Sequence, residues 1–377
     1  MHADKNEQTL AFDVRLSFGA FNLDVADEIP LSGITALFGH SGSGKSTLLR
    51  ILAGLEARAE GEVRLTGTTL QQRDGKGFVP PHMRGIGVVF QDARLFPNLD
   101  VAGNLAYAER RSRARASDSQ LDTAAVVEAL DLGPLPQRHP APLPGGERQR
   151  VALGRTLLPR PRLVLMDEPL ASIDGRRKRD ILPYIERLPQ SFAIPVVYVT
   201  HSVDEVAALA DRILLISEGR RISSGPIAEM MSRLDLFPLT GRFEAGAVVD
   251  CRVARHDPRD QLTDLDFDGG NLAVPLLDLP VGSEFRLRIR ARDVILSREV
   301  PGDLSANNVV AGVVMAMRED AGAFVDVQLD CGGTTLLARV THRAVRRLAL
   351  APGRPVYAII KSSTIDRPVG PAPRRER

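Results

Sequence analysis

The sequence holds only two cysteines, Cys251 and Cys331, far apart and outside any metal-ligand spacing. That argues against a cysteine metal site and favours a reducing compartment. No apolar run approaches the ~18–20 residues of a membrane-spanning helix, and the opening segment is acidic and polar where a signal peptide would be basic and then apolar. The expectation is a soluble, cytoplasmic chain whose membrane role, if it has one, comes through a partner. Excess charge is missing too. Lys and Arg total 49 against 47 Asp and Glu, a net +2, so bulk composition demands neither nucleic acid nor an anionic membrane surface. The length of 377 residues admits two or three domains of ~100–200 residues each.

Against these absences stands one dense stretch, GHSGSGKST: Gly39, His40, Ser41, Gly42, Ser43, Gly44, Lys45, Ser46 and Thr47. It follows an apolar run, Ile34 to Phe38, that reads as a buried strand, and leads into LLRILAGL, the start of a helix. Strand, glycine loop and helix together form a phosphate cradle. The glycines let successive backbone N–H groups point at a phosphate chain, and the helix adds its free N–H groups and positive dipole end. Lys45 is expected to reach the β- and γ-phosphates of a nucleoside triphosphate, and the Ser46 hydroxyl to ligate Mg²⁺.

Around the loop, alternating residues from Leu10 to Ile29 predict a strand hairpin. Phe18 or Phe21 is positioned in the sequence either to stack on an adenine or to pack in the core. Gly85 to Phe90 reads as a buried strand ending at Gln91, which taken alone is an ordinary loop residue. Ala108 to Arg138 is charged, alanine-rich and helical in pattern, the basis of a helical subdomain at about 92–160. Leu143, Pro144, Gly145, Gly146 and Glu147 open a further helix, a second anion site by the helix-terminus argument. Leu163 to Met166 is an apolar strand closed by Asp167 and Glu168. Adjacent strand residues face opposite ways, so Asp167 suits a magnesium shell and Glu168 the polarising of an attacking water. Asp174 follows, and His201 closes the strand VVYVT, where it is either a cap or a contact to the γ-phosphate.

In this order the motifs resemble an ATP-binding cassette (ABC) ATPase of a bacterial importer over residues 1–236. The resemblance implies an α/β phosphate-loop fold and assigns roles residue by residue. Gly39 to Ser46 match the phosphate loop, Gln91 the Q-loop glutamine beside the metal, and Leu143 to Glu147 the signature. Asp167 and Glu168 match the metal ligand and catalytic glutamate, Ala171 to Asp174 the D-loop, and His201 the switch histidine. It also implies a head-to-tail homodimer that sandwiches ATP, with permease coupling helices received by the segment Asp92 to Leu105. In the signature a proline, Pro144, stands where the family carries serine. It offers neither hydroxyl nor N–H, so hydrolysis is expected to survive in weakened form.

From about Ala245 the chain turns to short β-rich runs with an internal echo: the turns Gly269-Gly270 and Gly332-Gly333 correspond, and Ile289-Arg290 falls opposite Ile360-Lys361. Two copies of a strand, hairpin, strand unit predict a small OB-like barrel over residues 237–366. Aromatics for base stacking are scarce there. RIRARDVIL, SANNVV and VYAIIKSS resemble the molybdate-binding Mop domain of molybdate importer ATPases, which implies an oxyanion site at Ser305, Asn307, Lys361 and Ser362. The same polar residues would equally suit turns and a surface. The basic tail, 367–377, is expected to be disordered.

Together these features lead to the expectation of a peripheral ATPase at the cytoplasmic face of the inner membrane. It would import molybdate or tungstate through a separate permease served by a periplasmic binding protein. Sulfate, ferric iron and polyamine remain alternative cargoes. A regulatory, anion-sensing ATPase is the alternative of another class. The missing basic stripe and helix-turn-helix speak against its DNA-associated form.

Overall fold

Ile34–Phe38 is a fully buried strand, and the sheet of the first half of the chain is built outward from it. The computed structural model describes residues 8–72, 77–112, 123–171, 173–237, 245–319 and 322–365. The basic tail therefore lies outside the described residues, as does part of the expected helical segment between 112 and 123. Two compact units are present, Met1–Ser224 and Gly225–Arg377. The division falls ahead of the expected boundary at 236, because the helix Ile227–Ser232 packs on the strand Gly246–Asp257 of the second unit.

The strands of the first unit are β1 (Thr9–Phe18), β2 (Phe21–Pro30), β3 (Ile34–Phe38), β4 (Glu60–Leu65), β5 (Thr68–Gln71), β6 (Ile86–Val89), β7 (Leu163–Asp167), β8 (Val196–Thr200), β9 (Arg212–Ser217) and β10 (Arg220–Pro226). They form one sheet in the order β5-β4-β1-β2-β10-β9-β3-β8-β7-β6. From β9 to β6 the neighbours run parallel. Such strands are buried on both faces, which is why β3, β7 and β8 read as continuous apolar runs. At the other end, the predicted hairpins pair antiparallel. Register places Phe38 beside Thr200, and Asp167 beside Val199. The carboxyl ends of β3, β8 and β7 therefore lie side by side, the usual seat of ligand chemistry in an open α/β sheet.

Helices α1 (Lys45–Leu52), α2 (Val101–Ser112), α3 (Thr123–Ala129), α4 (Gly145–Leu157), α5 (Gly175–Phe192) and α6 (Val203–Leu209) complete the unit. α1 packs on β7 and β8, and α6 on β3. α2 and α3 gather on α4 as the helical subdomain. The helix Ile227–Ser232 is α7. No helix among the described residues is long and apolar enough to cross a membrane.

Among its described residues the second unit holds nine strands in two antiparallel sheets of four and five, enclosing an apolar core that draws Val249, Leu265 and Leu287 from one sheet and Val310, Val327 and Ala358 from the other. This is the small all-β, barrel-like domain expected. The sequence echo is structural. Arg290 and Lys361 adopt the same backbone (φ −76, ψ 135 and φ −76, ψ 134), each heading a one-turn 3-10 helix. The two Gly-Gly turns abut, leaving no room for a Cβ at Gly269 against the Cys331 carbonyl.

Candidate nucleotide site

The loop between β3 and α1 depends on glycine where it is tightest. Gly44 sits at φ +103 as the N-cap of α1, with the side chains of Leu23 and Phe21 filling the space of a Cβ. Lys45 is buried and folds back across the loop, its ammonium donating to the carbonyls of Gly39 and His40, each at 2.8 Å. Burial pulls that ammonium below the usual lysine range, and the Glu168 and Asp167 carboxylates oppose the shift. His40, Ser41, Gly42 and Ser46 are exposed; Ser43 is buried and Thr47 half-buried. The Lys45 ammonium is thus turned onto the loop's own carbonyls, while Ser41 and Ser46 stay exposed. Of the two aromatics, Phe21 lies beneath Gly44, while Phe18 is more exposed and carries the Arg58 guanidinium 4.5 Å from its ring centre.

Across the loop mouth, the Ser46 hydroxyl donates to Asp167 Oδ1 at 2.7 Å. Burial raises the Asp167 carboxyl, with this hydrogen bond acting the other way. Glu168 differs from expectation in how it gains its separate direction. β7 ends at Asp167, and Glu168 adopts φ +44, so a left-handed turn, not strand alternation, re-aims its side chain. Its backbone N–H donates to the Val199 carbonyl at 3.1 Å, and its Oε1 lies 3.2 Å from His201 Nδ1. The structure therefore brings together Lys45, Ser46, Asp167, Glu168 and His201 at the ends of three adjacent strands.

Gln91, Asp174 and the signature stand apart from that cluster. Gln91 is exposed and lines a cleft of about 390 Å³ with Asp92, Gly145, Arg148 and Gln149. Asp174 caps α5, accepting from the Arg177 N–H at 3.0 Å. Leu143 is buried, and Pro144 is the N-cap of α4 without a side-chain cap. That leaves the first-turn N–H groups of Gly145, Gly146 and Glu147 without helical acceptors. Gly146 fits closely against Ile181.

Some organising residues carried no signal that sequence reasoning used. Asn104 is fully buried, and its amide bonds the backbone of Phe96, Leu99 and Asp100, fixing the loop after Gln91. Its polarity in the middle of an otherwise apolar helix stretch was the available clue. Glu205 and Arg84 are likewise buried hubs with distant partners.

Comparison with known proteins places the chain in a family. Residues 24–171 match the ABC transporter family model and residues 304–366 the TOBE domain. The molybdenum import ATP-binding protein ModC of Mesorhizobium japonicum is 48% identical over 89% of this chain and 90% of its own. The ModC of Thiobacillus denitrificans is 49% identical over 92% and 95% respectively. The chain belongs to the ModC family of ABC transporter ATP-binding proteins. Among solved structures, cbiO1 from Clostridium perfringens, part of the ABC transporter complex cbiONQ, aligns with a TM-score of 0.51 at 21% identity, covering 61% of this chain and 93% of that one. That likeness speaks for the fold alone.

As a ModC-family ATPase, the chain can be tested at its unusual signature. Serine is a strong N-cap, worth about 0.5–2 kcal/mol over a non-capping residue, and its hydroxyl would restore a donor at the helix mouth. Pro144→Ser is expected to raise the ATPase rate of the full-length protein. An unchanged or lower rate in a steady-state phosphate-release assay would count against a cost of proline here.

Proposed function

We propose that this protein is the ATP-hydrolysing subunit of an importer for molybdate and its near relative tungstate, acting through a separate membrane permease at the cytoplasmic face of the inner membrane. The observation that carries the proposal is likeness over nearly the whole chain, at 48–49% identity, to molybdenum import proteins, joined to Lys45, Ser46, Asp167, Glu168 and His201 gathered at the carboxyl ends of β3, β7 and β8. Two copies arranged head to tail would let the first turn of α4 in one face the phosphate loop of the other. The segment Asp92 to Leu105, braced by Asn104, is the surface for the permease.

For turnover, the loop N–H groups and Lys45 bind the β- and γ-phosphates, with Lys45 exchanging its loop carbonyls for phosphate oxygens. The paired oxygens of Ser46 and Asp167, 2.7 Å apart, are a hard donor set that fits Mg²⁺, which they would hold together with the Gln91 side chain. Bound with ATP, the ion would neutralise charge on the phosphate oxygens. Glu168 accepts a hydrogen bond from the attacking water and orients it in line, and His201, paired with Glu168, donates to the γ-phosphate.

In the second unit, the Asn307 amide donates to the Ser362 hydroxyl at 3.2 Å, and Lys361 is exposed beside them. Ser305 is exposed two residues before Asn307. Amide, hydroxyls and one cation suit a tetrahedral oxyanion of charge two. The first repeat keeps a cation in Arg290 but has Ala291 where the second has Ser362, which supports one oxyanion site per chain.

The decisive test is ATP-dependent uptake by liposomes carrying the protein with its permease and binding protein, supplied with molybdate, tungstate or sulfate. Uptake of the first two over sulfate is expected, and uptake of sulfate alone or of none would remove the cargo assignment. Calorimetric titration of the full chain is expected to show the same preference and to lose it in Lys361→Ala.

A further inference from the structure

Glu205, on α6, is buried, and its carboxylate gathers three side chains from two other elements. Oε2 accepts from the Thr200 hydroxyl at 2.7 Å and the Tyr198 hydroxyl at 3.0 Å, both on β8. Oε1 accepts from the Lys178 ammonium of α5 at 2.8 Å. Thr200 immediately precedes His201. Its hydroxyl oxygen also accepts from the Ser202 N–H at 3.0 Å, and the Ser202 hydroxyl in turn accepts from the N–H of Glu205 at 3.3 Å. The residues on both sides of His201 are therefore tied, directly or through one link, to Glu205.

The same carboxylate reaches α5, the helix that Asp174 caps. Lys178 lies one helical turn from that cap, so Glu205 joins the His201 turn to the start of α5. A buried carboxylate with three strong donors is geometrically determined, since ionised it is acceptor-only and each oxygen is engaged. Burial holds the Tyr198 phenol well above its usual range, which keeps it a donor. A buried polar network of this kind is rigid when complete and costly when one member is lost.

We propose that Glu205 is a positioning residue for ATP hydrolysis: it holds the turn carrying His201 against Glu168 and ties that turn to the helix beginning at Asp174. The inference rests on the reading of His201 as a group that acts on the γ-phosphate. Nothing in it requires Glu205 to touch nucleotide. Its loss should therefore appear in turnover and not in ATP binding.

The test uses the full-length protein with Glu205→Gln, Lys178→Met and His201→Ala, singly and combined, measuring kcat, KM for ATP and the thermal midpoint. Glutamine keeps the volume but turns an N–H₂ toward groups that are themselves donors. Glu205→Gln is expected to lower kcat about tenfold with KM within about twofold, and to have less than about a twofold effect once His201 is alanine. Lys178→Met, which breaks only the α5 link, is expected to lower kcat about threefold with the same dependence on His201. Wild-type kcat in Glu205→Gln, or the same fold-loss with and without His201, overturns the inference while leaving the role of His201 intact. Wild-type kcat in His201→Ala overturns both. If Glu205→Gln fails to fold, Lys178→Met decides on the same criteria.

Discussion

Glu168→Gln should lower kcat for ATP hydrolysis by about 10³-fold while leaving ATP affinity within about twofold, because a positioned base contributes roughly 10²–10⁴ to rate and little to ground-state binding. The structural reason is the separation of duties at the end of β7. Asp167 remains in the strand and bonds Ser46, so substitution at the next residue leaves that pair alone. Glu168 is turned out by its positive φ and held by Val199 and His201. Glutamine can occupy the same space and keep the backbone bond, but it cannot accept a proton. The measurement is single-turnover hydrolysis with bound nucleotide quantified in parallel. Hydrolysis within tenfold of wild type would move the base elsewhere, and a large loss of binding would mean that the substitution had disturbed the phosphate loop.

Much of this site was legible in the chain because its chemistry is local. A phosphate cradle needs consecutive N–H groups, and consecutive residues can be read directly. Strand ends are legible for a similar reason, since a buried parallel strand is a short apolar run and whatever polar residue follows it lies at the sheet edge. The repeat in the second unit was readable from two Gly-Gly turns, and the shared backbone of Arg290 and Lys361 is its structural counterpart. The unreadable parts are those decided by distant partners. Glu168 looked like the next residue of a strand, and only its hydrogen bond to Val199, on the neighbouring strand, accompanies the left-handed turn that redirects it. Glu205 carries no local motif, and its partners on β8 and α5 come from distant parts of the chain and enclose it. Where the two compact units divide also depends on distant partners. α7 follows the last strand of the first unit in sequence, but its packing is with the second.

Arg84 should carry an equally large effect, on stability. Its side chain is 1% exposed, and its guanidinium donates to the carbonyls of Ile51 and Leu52 at 2.9 and 2.8 Å and to that of Val79 at 2.8 Å. Two of these are the last carbonyls of α1, the helix whose other end forms the phosphate loop. A helix leaves its final carbonyls without the usual intrahelical donors; here the Gly54 N–H returns to the Ile51 carbonyl at 2.9 Å, and Arg84, from a segment beyond the next hairpin, donates to that carbonyl and to the carbonyl of Leu52. Burial draws the guanidinium down to about 10, so it remains charged at neutral pH. Gly54 completes the arrangement. It lies at φ +76, and a Cβ there would come within 2.4 Å of Arg84 Nε. Arg84→Met keeps the apolar stem but loses three charge-assisted hydrogen bonds and takes their donor from the Leu52 and Val79 carbonyls, while Ile51 keeps the Gly54 N–H, a loss of about 3 kcal/mol. For a unit of this size that corresponds to roughly 6–12 °C in Tm. Gly54→Ala should shift stability in the same direction, through both strained backbone and displaced guanidinium. Denaturant unfolding of the two variants and their double mutant checks the account. If the arginine and glycine act as one cap, the double mutant loses less than the sum of the two single losses. A loss below about 1 kcal/mol in Arg84→Met would mean that water or a rearranged side chain takes over the carbonyls, and that α1 does not depend on Arg84 for its C-terminal end.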